Sequence, residues 1–340
     1  MNMDRPLIAI VNSSTFGKHF AAHIKTLEAF ADIKHITVPA DIDGDALAEK
    51  IKDADGIIAS VTPKFPQKTL EQCTKLILLS RHGIGCDNVD LEAATALGIA
   101  VSRVKGVVER EAVAEYAITL LMAASRQVPQ GLLAVKNSKW ESRFRMIGME
   151  LKGKTAGIIG LGNIGSRSAE ILSNGFGANV IASDPYIDKE RFRQFNAKEV
   201  SLEELIHTSN AILFHCPLTS ETQRMLGKEQ FAAMQNGTVL VNTCRGELVD
   251  EDALYDALQH GPLGAYATDV VEREPIDGHH RLVKLDNVII TPHLGGYSWE
   301  SLHGMGQTCV DDMVAVFQNA VMAGELANPE VLQKEYRKWH

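Results

Sequence analysis

Hydrophobic residues in the first hundred positions form short β-branched runs separated by segments with helical periodicity. Apolar runs of this kind are typical of parallel strands buried on both faces, and the segments between them predict crossover helices. The predicted strands are LIAIVN (7–12), IKHITV (33–38), GIIAS (56–60), LILLSR (76–81) and IAVSR (99–103). This part of the chain is therefore expected to form a parallel α/β unit.

A second series of the same kind begins at Lys154, after a long apolar helix predicted over Glu109–Arg126. Its predicted strands lie in KTAGIIGLG (154–162), NVIASD (179–184), AILFHC (211–216), GTVLVNTC (237–244), GAYATDV (264–270) and NVIITPH (287–293). A final helix is predicted from Trp299 to about Gly324, and the residues after it are too few for another domain. The pattern predicts an α/β protein with two parallel sheets, each with helices on both faces.

Composition agrees with two domains and narrows the possible partners. The 340 residues are 45% hydrophobic and 23% charged, which is typical of a globular protein. A chain of this length exceeds what one hydrophobic core usually organises. A net charge of −9 argues against nucleic acid as a ligand, and no apolar run is long enough for a signal peptide core or a membrane span. Five scattered cysteines without a CxxC pair predict neither disulfides nor a metal site. We therefore expect a cytoplasmic protein that binds a small molecule.

The strongest local motif is IIGLGNIG, in which Gly160, Gly162 and Gly165 form a GxGxxG pattern between a strand and a helix. Such glycines allow a tight turn and a close approach of the backbone to a pyrophosphate at the helix N-terminus. The next strand ends in Asp184, where a carboxylate can bind the adenosine ribose and repel a 2′-phosphate. NAD is therefore favoured over NADP, although Arg191 and Arg193 follow and leave NADP open. The alternative is a structural glycine turn with a helix-capping aspartate.

Ligands of such sheets meet the carboxyl ends of the strands, which here are Cys216, Arg245, Asp269 and His293. Reduction of a 2-oxo acid needs a cation for the carboxylate and an acid for the carbonyl oxygen, and arginine and histidine suit these tasks. A carboxylate on the far ring nitrogen orients the imidazole and favours its protonated form, which makes Glu274 a candidate. His215 also ends a strand, so position alone leaves two histidines open.

The motifs resemble those of NAD-dependent D-isomer-specific 2-hydroxyacid dehydrogenases over nearly the whole chain. The matching stretches are RHGIGCDNVDLEAA (81–94), EAVAEYAITLLMAASR (111–126), LKGKTAGIIGLGNIGS (151–166), CPLTSET (216–222), VNTCRGELVDEDAL (241–254), TDVVEREP (268–275) and TPHLGG (291–296). By this resemblance Arg245 is the catalytic arginine, Glu274 the supporting glutamate and His293 the acid/base histidine. His215 then has a structural or cofactor-edge role.

The resemblance also implies the remaining contacts. Substrate is expected at Arg245, His293, Arg81 and the backbone of Ile84 and Gly85. Cofactor is expected at Gly160, Gly162, Asn163, Ile164, Gly165, Asp184, Cys216, Pro217, Thr222, Thr243, Cys244, Arg245, Asp269, His293 and Gly295. Residues 1–105 with 298–340 are expected to form a flavodoxin-like substrate domain, and 106–297 a Rossmann NAD-binding domain that forms a homodimer. A cleft between the domains is expected to close over the substrate, with the long helix as its hinge.

Within the family the motifs are most similar to those of 3-phosphoglycerate dehydrogenases, for example in DNVDLEAATALGI. Those enzymes place an arginine where this sequence has Ser60, and Glu109 stands where related chains tend to carry a small polar residue. Arg81 is retained, but losing a bidentate phosphate contact is serious. A nonphosphorylated D-2-hydroxy acid of the glyoxylate or hydroxypyruvate type is therefore predicted, with phosphoglycerate as the alternative. Feedback by serine is not expected.

Two other function classes share this fold by resemblance. One is an NADH-sensing binding protein similar to corepressors, which turnover of a 2-oxo acid would exclude. The other is an oxidoreductase for formate or phosphite; formate enzymes generally have glutamine at the position of Glu274. The sequence therefore favours the hydroxyacid dehydrogenase over both.

Overall fold

The computed structural model describes residues 5–318, 320, 322, 324–333 and 337. The chain divides into two compact units, with unit 1 reaching to Glu109 and resuming at Ser298, and unit 2 comprising Arg110–Tyr297. Each unit contains a largely parallel sheet with helices, so the predicted class of two parallel α/β domains is confirmed. The assignment of one unit to substrate and the other to cofactor stays a prediction.

Unit 1 is built on a six-stranded sheet among its described residues. The order of the strands is β13-β5-β4-β3-β1-β2, in which only β13 is antiparallel to its neighbour. The strands are β1 (Leu7–Val11), β2 (Asp32–Ile36), β3 (Gly56–Ala59), β4 (Leu78–Arg81), β5 (Ala100–Arg103) and β13 (Glu325–Leu326). The first five were predicted from their apolar runs, whereas β13 is too short to give a pattern.

The helices of unit 1 cover both faces of this sheet. They are α1 (Ala21–Glu28), α2 (Gly44–Ile51), α3 (Gln67–Leu70), α4 (Leu91–Ala96) and α12 (Trp299–Phe317). Side chains of Asp43, Asp90 and Ser298 accept backbone N–H groups at the starts of α2, α4 and α12. Helix α12 begins where predicted but ends at Phe317, so the expected helix to about Gly324 was too long.

Unit 2 is built on a seven-stranded sheet in the order β12-β11-β10-β9-β6-β7-β8, parallel throughout. The strands are β6 (Thr155–Ile159), β7 (Asn179–Ser183), β8 (Lys198–Glu199), β9 (Ala211–Phe214), β10 (Thr238–Asn242), β11 (Leu263–Thr268) and β12 (Val288–Ile290). Strand β6 lies between β7 and β9, so the order of the strands reverses at β6. Ligands of doubly wound sheets bind at the carboxyl ends at such a point.

The long predicted helix is α5 (Gly106–Ser125), which contains the boundary between the units and begins three residues before the predicted Glu109. The other helices of unit 2 are α6 (Val128–Lys136), α7 (Asn163–Glu170), α8 (Lys189–Gln194), α9 (Leu202–Thr208), α10 (Lys228–Ala232) and α11 (Glu251–His260). Buried α5 side chains such as Leu121 share a core cluster with Ile158 of β6. Among the residues the structure describes, no helix has the length and apolar character to span a membrane.

Candidate active site

The glycine turn joins β6 to α7, and each of its three glycines has its own steric reason. Gly160 has a φ of +91°, which side chains rarely adopt, and a Cβ there would lie 2.6 Å from the carbonyl oxygen of His215. A Cβ on Gly165 would lie 2.0 Å from the carbonyl oxygen of Gly160, whereas one on Gly162 would meet, among the described residues beyond its chain neighbours, nothing within 4 Å. The turn is therefore packed at Gly165 and open at Gly162, as a pyrophosphate over the helix start requires.

The carboxylate of Asp184, at the end of β7, is bonded to this turn. Its Oδ2 accepts the N–H of Leu161 at 2.8 Å, and its Oδ1 accepts the N–H of Tyr186 at 3.0 Å. The carboxylate is only partly buried, so lone pairs stay available for a ribose diol. The position predicted for ribose recognition is therefore held rigidly beside the glycines.

The two arginines that left NADP open are both engaged. Arg191 donates its Nε–H to the carbonyl oxygen of Leu161 at 3.0 Å, and its guanidinium lies 5.3 Å from the ring centroid of Phe195. Arg193 is exposed and pairs with Glu190 at 3.5 Å on the same helix. The contacts of Arg191 favour NAD, because a 2′-phosphate would have to draw its guanidinium away from them, whereas the exposed pair of Arg193 is weak.

His215, Cys216 and Cys244 follow β9 and β10, at the carboxyl edge beside the glycine turn. Both ring nitrogens of His215 are buried and have no hydrogen-bond partner within the described ranges, and burial lowers the pKa of His215 to about 3. Burial raises the pKa of Cys216 to about 12 and also raises the pKa of Cys244, whose Sγ lies 3.0 Å from the carbonyl oxygen of Phe214. Burial thus favours the neutral imidazole and the protonated thiols. Because His215 has no carboxylate partner among the described residues, His293, which has one, is the better candidate for the acid.

The loop after Cys216 is stabilised by its own side chains. The hydroxyl of Thr222 donates to the carbonyl oxygen of Pro217 at 2.7 Å and accepts the N–H of Thr219 at 2.8 Å. Thr243, after β10, has a buried hydroxyl oxygen for which the described residues supply no partner. Thr222 therefore shapes the loop predicted to contact cofactor, whereas the hydroxyl of Thr243 takes no part in such shaping.

Arg245 lies three residues beyond the end of β10, before a short 3-10 turn. The side-chain amide of Asn242 donates to the carbonyl oxygen of Arg245 at 2.8 Å, and one guanidinium nitrogen donates to the carbonyl oxygen of Cys244 at 2.7 Å. A Cβ on Gly246 would lie 2.0 Å from the carbonyl carbon of Val271. The backbone at Arg245 therefore packs directly against the segment that leads to Glu274.

His293 and Glu274 form a hydrogen-bonded pair. The Nδ1 of His293 lies 2.9 Å from Oε2 of Glu274, whose Oε1 accepts the N–H of Val271 at 3.2 Å. A carboxylate accepts, so Nδ1 carries a hydrogen and Nε2 is the nitrogen available for proton exchange. His293 itself has a φ of +55°, and its N–H donates to the carbonyl oxygen of Asp269 at 3.0 Å. The side chains of the pair are about one third exposed, as a reacting pair must be.

The TPHLGG segment is held by a buried carboxylate. Oδ1 of Asp269 accepts the hydroxyl of Thr291 at 2.6 Å and the N–H of Leu294 at 2.8 Å, and Oδ2 accepts the N–H of Gly295 at 2.6 Å. Burial raises the pKa of Asp269, against these hydrogen bonds, which lower it. Asp269, which was predicted to contact the cofactor, thus also fixes the backbone around His293.

Sequence reasoning did not single out several residues that shape this site, among them Asn242, Gly246 and Thr291. The signals were present but weak. Thr291 precedes the proline of TPHLGG, and Asn242 and Gly246 flank Arg245 in VNTCRGE. Their partners are distant in sequence, so the motifs alone could not assign their contacts.

Arg81 in unit 1 is buried, with 2% of its surface exposed. One guanidinium nitrogen donates to the carbonyl oxygens of Ala59 at 3.2 Å and His82 at 3.0 Å. A Cβ on Gly83 would lie 3.2 Å from both terminal nitrogens. The prediction that Arg81 contacts substrate is untested, and these contacts indicate that its guanidinium supports the backbone at the start of the HGIG segment (82–85).

Ile84 and Gly85, predicted to hold a substrate carboxylate, are partly exposed in the loop after β4. The loop is tied to the end of the neighbouring strand β3 by Asn88, whose side-chain amide donates to the carbonyl oxygens of Ser60 at 3.1 Å and Pro63 at 3.0 Å. This bonding gives the backbone N–H groups of the loop a fixed direction, which recognition of a carboxylate requires.

The structure brings most of the predicted residues of unit 2 to one edge of its sheet. Arg245 follows β10, Glu274 follows β11 and His293 follows β12, which are adjacent strands. The glycine turn, Asp184 and Cys216 follow β6, β7 and β9 at the same edge. The predicted substrate residues Arg81, Ile84 and Gly85 belong to unit 1.

The chain is similar to known proteins in both sequence and structure. Residues 118–295 match the family model for the NAD binding domain of D-isomer specific 2-hydroxyacid dehydrogenases. A D-3-phosphoglycerate dehydrogenase of Archaeoglobus fulgidus is 35% identical over 88% of this chain and 56% of its own length. A glyoxylate reductase of Korarchaeum cryptofilum is 34% identical over 84% of this chain and 86% of its own length.

The similarity extends to solved structures, but the chain covers only part of the length of some relatives. A D-lactate dehydrogenase from Aquifex aeolicus, complexed with NAD and lactic acid, superposes with a TM-score of 0.83 at 26% identity and covers 94% of this chain and 99% of that chain. The chain spans only 56% of the Archaeoglobus enzyme and 60% of a second phosphoglycerate dehydrogenase, from Methanocaldococcus jannaschii.

Proposed function

The chain belongs to the family of D-isomer specific 2-hydroxyacid dehydrogenases, and we propose that it transfers a hydride between NAD and a small, nonphosphorylated D-2-hydroxy acid or its 2-oxo acid. The observation that carries this proposal is the His293–Glu274 hydrogen bond of 2.9 Å, at the end of a strand two places from the one that leads to Arg245. Reduction of a 2-oxo acid requires a proton donor and a cation, and an imidazole oriented by a carboxylate with a guanidinium on the same sheet edge supplies both.

Each residue then has a stated task. When bound at the glycine turn, NADH supplies the hydride. The guanidinium of Arg245 binds the substrate carboxylate and polarises the carbonyl, and Nε2 of His293 donates the proton that the reduced oxygen needs. Glu274 acts through His293, since its carboxylate fixes the ring and stabilises the charged imidazole. In the oxidation of the hydroxy acid the proton moves in the opposite direction, from the hydroxyl group to Nε2 of His293.

The preference for a nonphosphorylated substrate rests on three residues of unit 1 next to the loop predicted to bind substrate: Ser60, Arg81 and His82. Ser60 stands at the end of β3, and the guanidinium of Arg81 is turned into the interior against backbone carbonyls. Burial and the neighbouring Arg81 lower the pKa of His82 to about 3, so this histidine is neutral. None of these three residues presents a charged side chain to a phosphate. Glyoxylate, hydroxypyruvate and pyruvate are therefore the substrates to test first.

D-3-phosphoglycerate is the second candidate substrate. It is favoured by the 35% identity to the Archaeoglobus enzyme and by the presence of Arg81 in the RHGIG motif. A rotation of the Arg81 side chain would be needed to offer its charge to a phosphate. The two candidates therefore differ in the contacts that Arg81 makes when substrate is bound.

Steady-state kinetics with NADH test both candidates. The panel contains glyoxylate, hydroxypyruvate, pyruvate and 3-phosphohydroxypyruvate, and we expect the highest kcat/KM with one of the first three. Arg245→Ala and His293→Ala should each lower kcat/KM by roughly 10²- to 10⁴-fold. His260→Ala, an exposed histidine at the end of α11, should leave it unchanged.

Two results would contradict parts of this proposal. A strong preference for 3-phosphohydroxypyruvate would make phosphoglycerate the substrate. Tight NADH binding without turnover of any compound in the panel would favour an NADH-sensing binding protein.

We further propose that the protein is a homodimer formed through unit 2. In the segment 128–147, which contains α6 and a 3-10 turn (Trp140–Arg145), seven large apolar side chains are 55–82% exposed: Val128, Leu132, Leu133, Val135, Trp140, Phe144 and Ile147. Exposed apolar residues in such a concentration indicate an interface. Sedimentation analysis should give twice the chain mass of 37.1 kDa. Leu132→Glu with Leu133→Glu should give monomers, whereas Val283→Glu, an exposed apolar residue outside the segment, should not.

We also infer a cytoplasmic location. All five cysteines are free thiols, which is usual in a reducing compartment. Fractionation of cells that express the full chain tests this inference, and recovery in a membrane or secreted fraction would contradict it.

A further inference from the structure

Two loops on either side of the glycine turn are joined by one side-chain hydrogen bond. The hydroxyl of Tyr186, two residues after Asp184, donates to Oε2 of Glu221 at 2.6 Å. Tyr186 follows β7 and Glu221 lies in the loop after β9, and these two strands flank β6. The bond therefore connects the two sides of the crevice at the carboxyl end of β6.

Both loops are held in place independently of this bond. The N–H of Tyr186 donates to Asp184, and the N–H of Glu221 donates to the hydroxyl of Thr219 at 3.3 Å. Thr222 closes the second loop onto Pro217. Two exposed side chains on fixed backbones thus meet across a crevice, and Tyr186 does so with 80% of its surface exposed. The bond with Glu221 also raises the pKa of the Tyr186 hydroxyl.

We propose that Tyr186 and Glu221 form a latch over the adenosine half of the NAD site, and that Glu221 acts with Asp184 to select NAD over its 2′-phosphorylated form. This inference rests on the proposed function, because it needs a dinucleotide on the glycine turn. Asp184 marks the ribose side of the crevice, so a ring and a carboxylate that cross the crevice there enclose the adenosine. A second carboxylate near the ribose adds to the repulsion of a 2′-phosphate, since like charges repel over the Debye length of about 8–10 Å.

Conservative variants separate the bond from the charge. Tyr186→Phe keeps the ring but removes the donor, whereas Glu221→Gln keeps an acceptor oxygen but removes the charge. Tyr255→Phe and Glu229→Gln are the matched controls, because Arg281 lies over the ring of Tyr255 on α11 and Glu229 is exposed on α10, and neither belongs to the two loops that the bond joins. Dissociation constants are measured by fluorescence titration with NADH, NADPH and reduced nicotinamide mononucleotide, which lacks the adenosine half.

The latch predicts a distinct result for each ligand. Tyr186→Phe should raise the Kd for NADH about two- to fivefold, the range of one solvent-exposed hydrogen bond, and leave the Kd for the mononucleotide unchanged. Glu221→Gln should change the Kd for NADH less than twofold and lower the ratio of the NADPH Kd to the NADH Kd on the order of three- to tenfold at low salt. Added salt should shrink the second effect. The controls should change none of these constants.

Other outcomes overturn the inference. An unchanged NADH Kd in Tyr186→Phe, or an equal change with the mononucleotide, removes the latch. An unchanged NADPH to NADH ratio in Glu221→Gln removes the selection by charge. The wild type is assayed first for NADH binding and for turnover. Binding without turnover counts against the proposed reaction only, and turnover with unchanged Kd values in both variants counts against the latch only.

Discussion

The glycine turn allows the stability and the cofactor affinity of the protein to be changed separately. In Gly165→Ala the new Cβ would lie 2.0 Å from the carbonyl oxygen of Gly160, which is backbone and cannot rotate away. In Gly162→Ala the new Cβ would meet no described residue within 4 Å beyond its own helix start and chain neighbours, and the φ of −69° suits alanine. The first variant should therefore disturb the fold, and the second should affect only what binds above the turn.

The size of each effect follows from these distances. A contact of 2.0 Å must open by more than 1 Å, which separates α7 from β6 and costs about 1–3 kcal/mol as for other overpacked sites. For a unit of this size that loss lowers Tm by about 2–4 °C per kcal/mol. Gly162→Ala should change the unfolding free energy by less than about 1 kcal/mol, because the loss of a favourable N-cap residue and the lower entropy of the unfolded chain act in opposite directions. Its methyl group, however, occupies the space through which the backbone approaches a pyrophosphate.

Urea unfolding without cofactor and fluorescence titration with NADH measure the two effects. We expect Gly165→Ala to unfold at lower urea concentration and Gly162→Ala to unfold like the wild type. Gly162→Ala should nevertheless bind NADH at least tenfold more weakly, and NADH should raise its Tm less than that of the wild type. Wild-type NADH affinity in Gly162→Ala, or wild-type stability in Gly165→Ala, would refute the steric assignment of these glycines.

Three further predictions concern two residues around His293 and the buried histidine His82. Glu274→Gln keeps the size of the side chain but removes the charge that supports the imidazole. The value of kcat/KM should therefore fall by roughly 10- to 100-fold, with an unchanged Kd for NADH. An unchanged kcat/KM would contradict the pairing of His293 with Glu274. Asp269→Asn leaves at least one of the N–H groups of Leu294 and Gly295 without an acceptor. Urea unfolding should therefore show an unfolding free energy lower by about 1–3 kcal/mol, a loss that is reduced because a buried charge is also removed. Equal stability would argue against the role of Asp269 in holding this segment. The pKa of His82 is lowered to about 3 in the fold and is near 6.5 when unfolded, so the unfolded chain takes up the proton first and stability falls as pH decreases from about 6.5. His82→Phe should reduce the slope of unfolding free energy against pH by about 1.4 kcal/mol per pH unit in this range, and an unchanged slope would show that His82 titrates normally.

Membership of the family was predicted from motifs and is confirmed by the match over residues 118–295. The bounds and roles of the two domains stay predictions. The likeness of the fold to a dehydrogenase complexed with NAD agrees with this result. The roles of individual residues stay predictions, although the structure gives several of them the contacts that those roles require. The homodimer and the cytoplasmic location also stay proposals.

The elements that the sequence located correctly are those with a local signal. Apolar runs gave five of the strands of unit 1 and six of those of unit 2, because burial of both faces requires continuous hydrophobic residues. The two-residue strands β8 and β13 gave no run, and the ends of α5 and α12 were displaced from the predicted positions. Helix ends depend on which neighbour packs against the last turn, which no local pattern contains.

The sequence by itself determined the order of strands and helices, the glycine turn, and the residues at the carboxyl ends of the strands, because each is written in a short stretch of chain. Only the tertiary structure decided that Arg81 faces inward, that Asp269 receives three donors, that the ring nitrogens of His215 are buried while His293 meets Glu274, and that Tyr186 reaches Glu221. The physical reason is that hydrogen bonding and burial depend on distances in space, and these partners come from segments that only folding brings together.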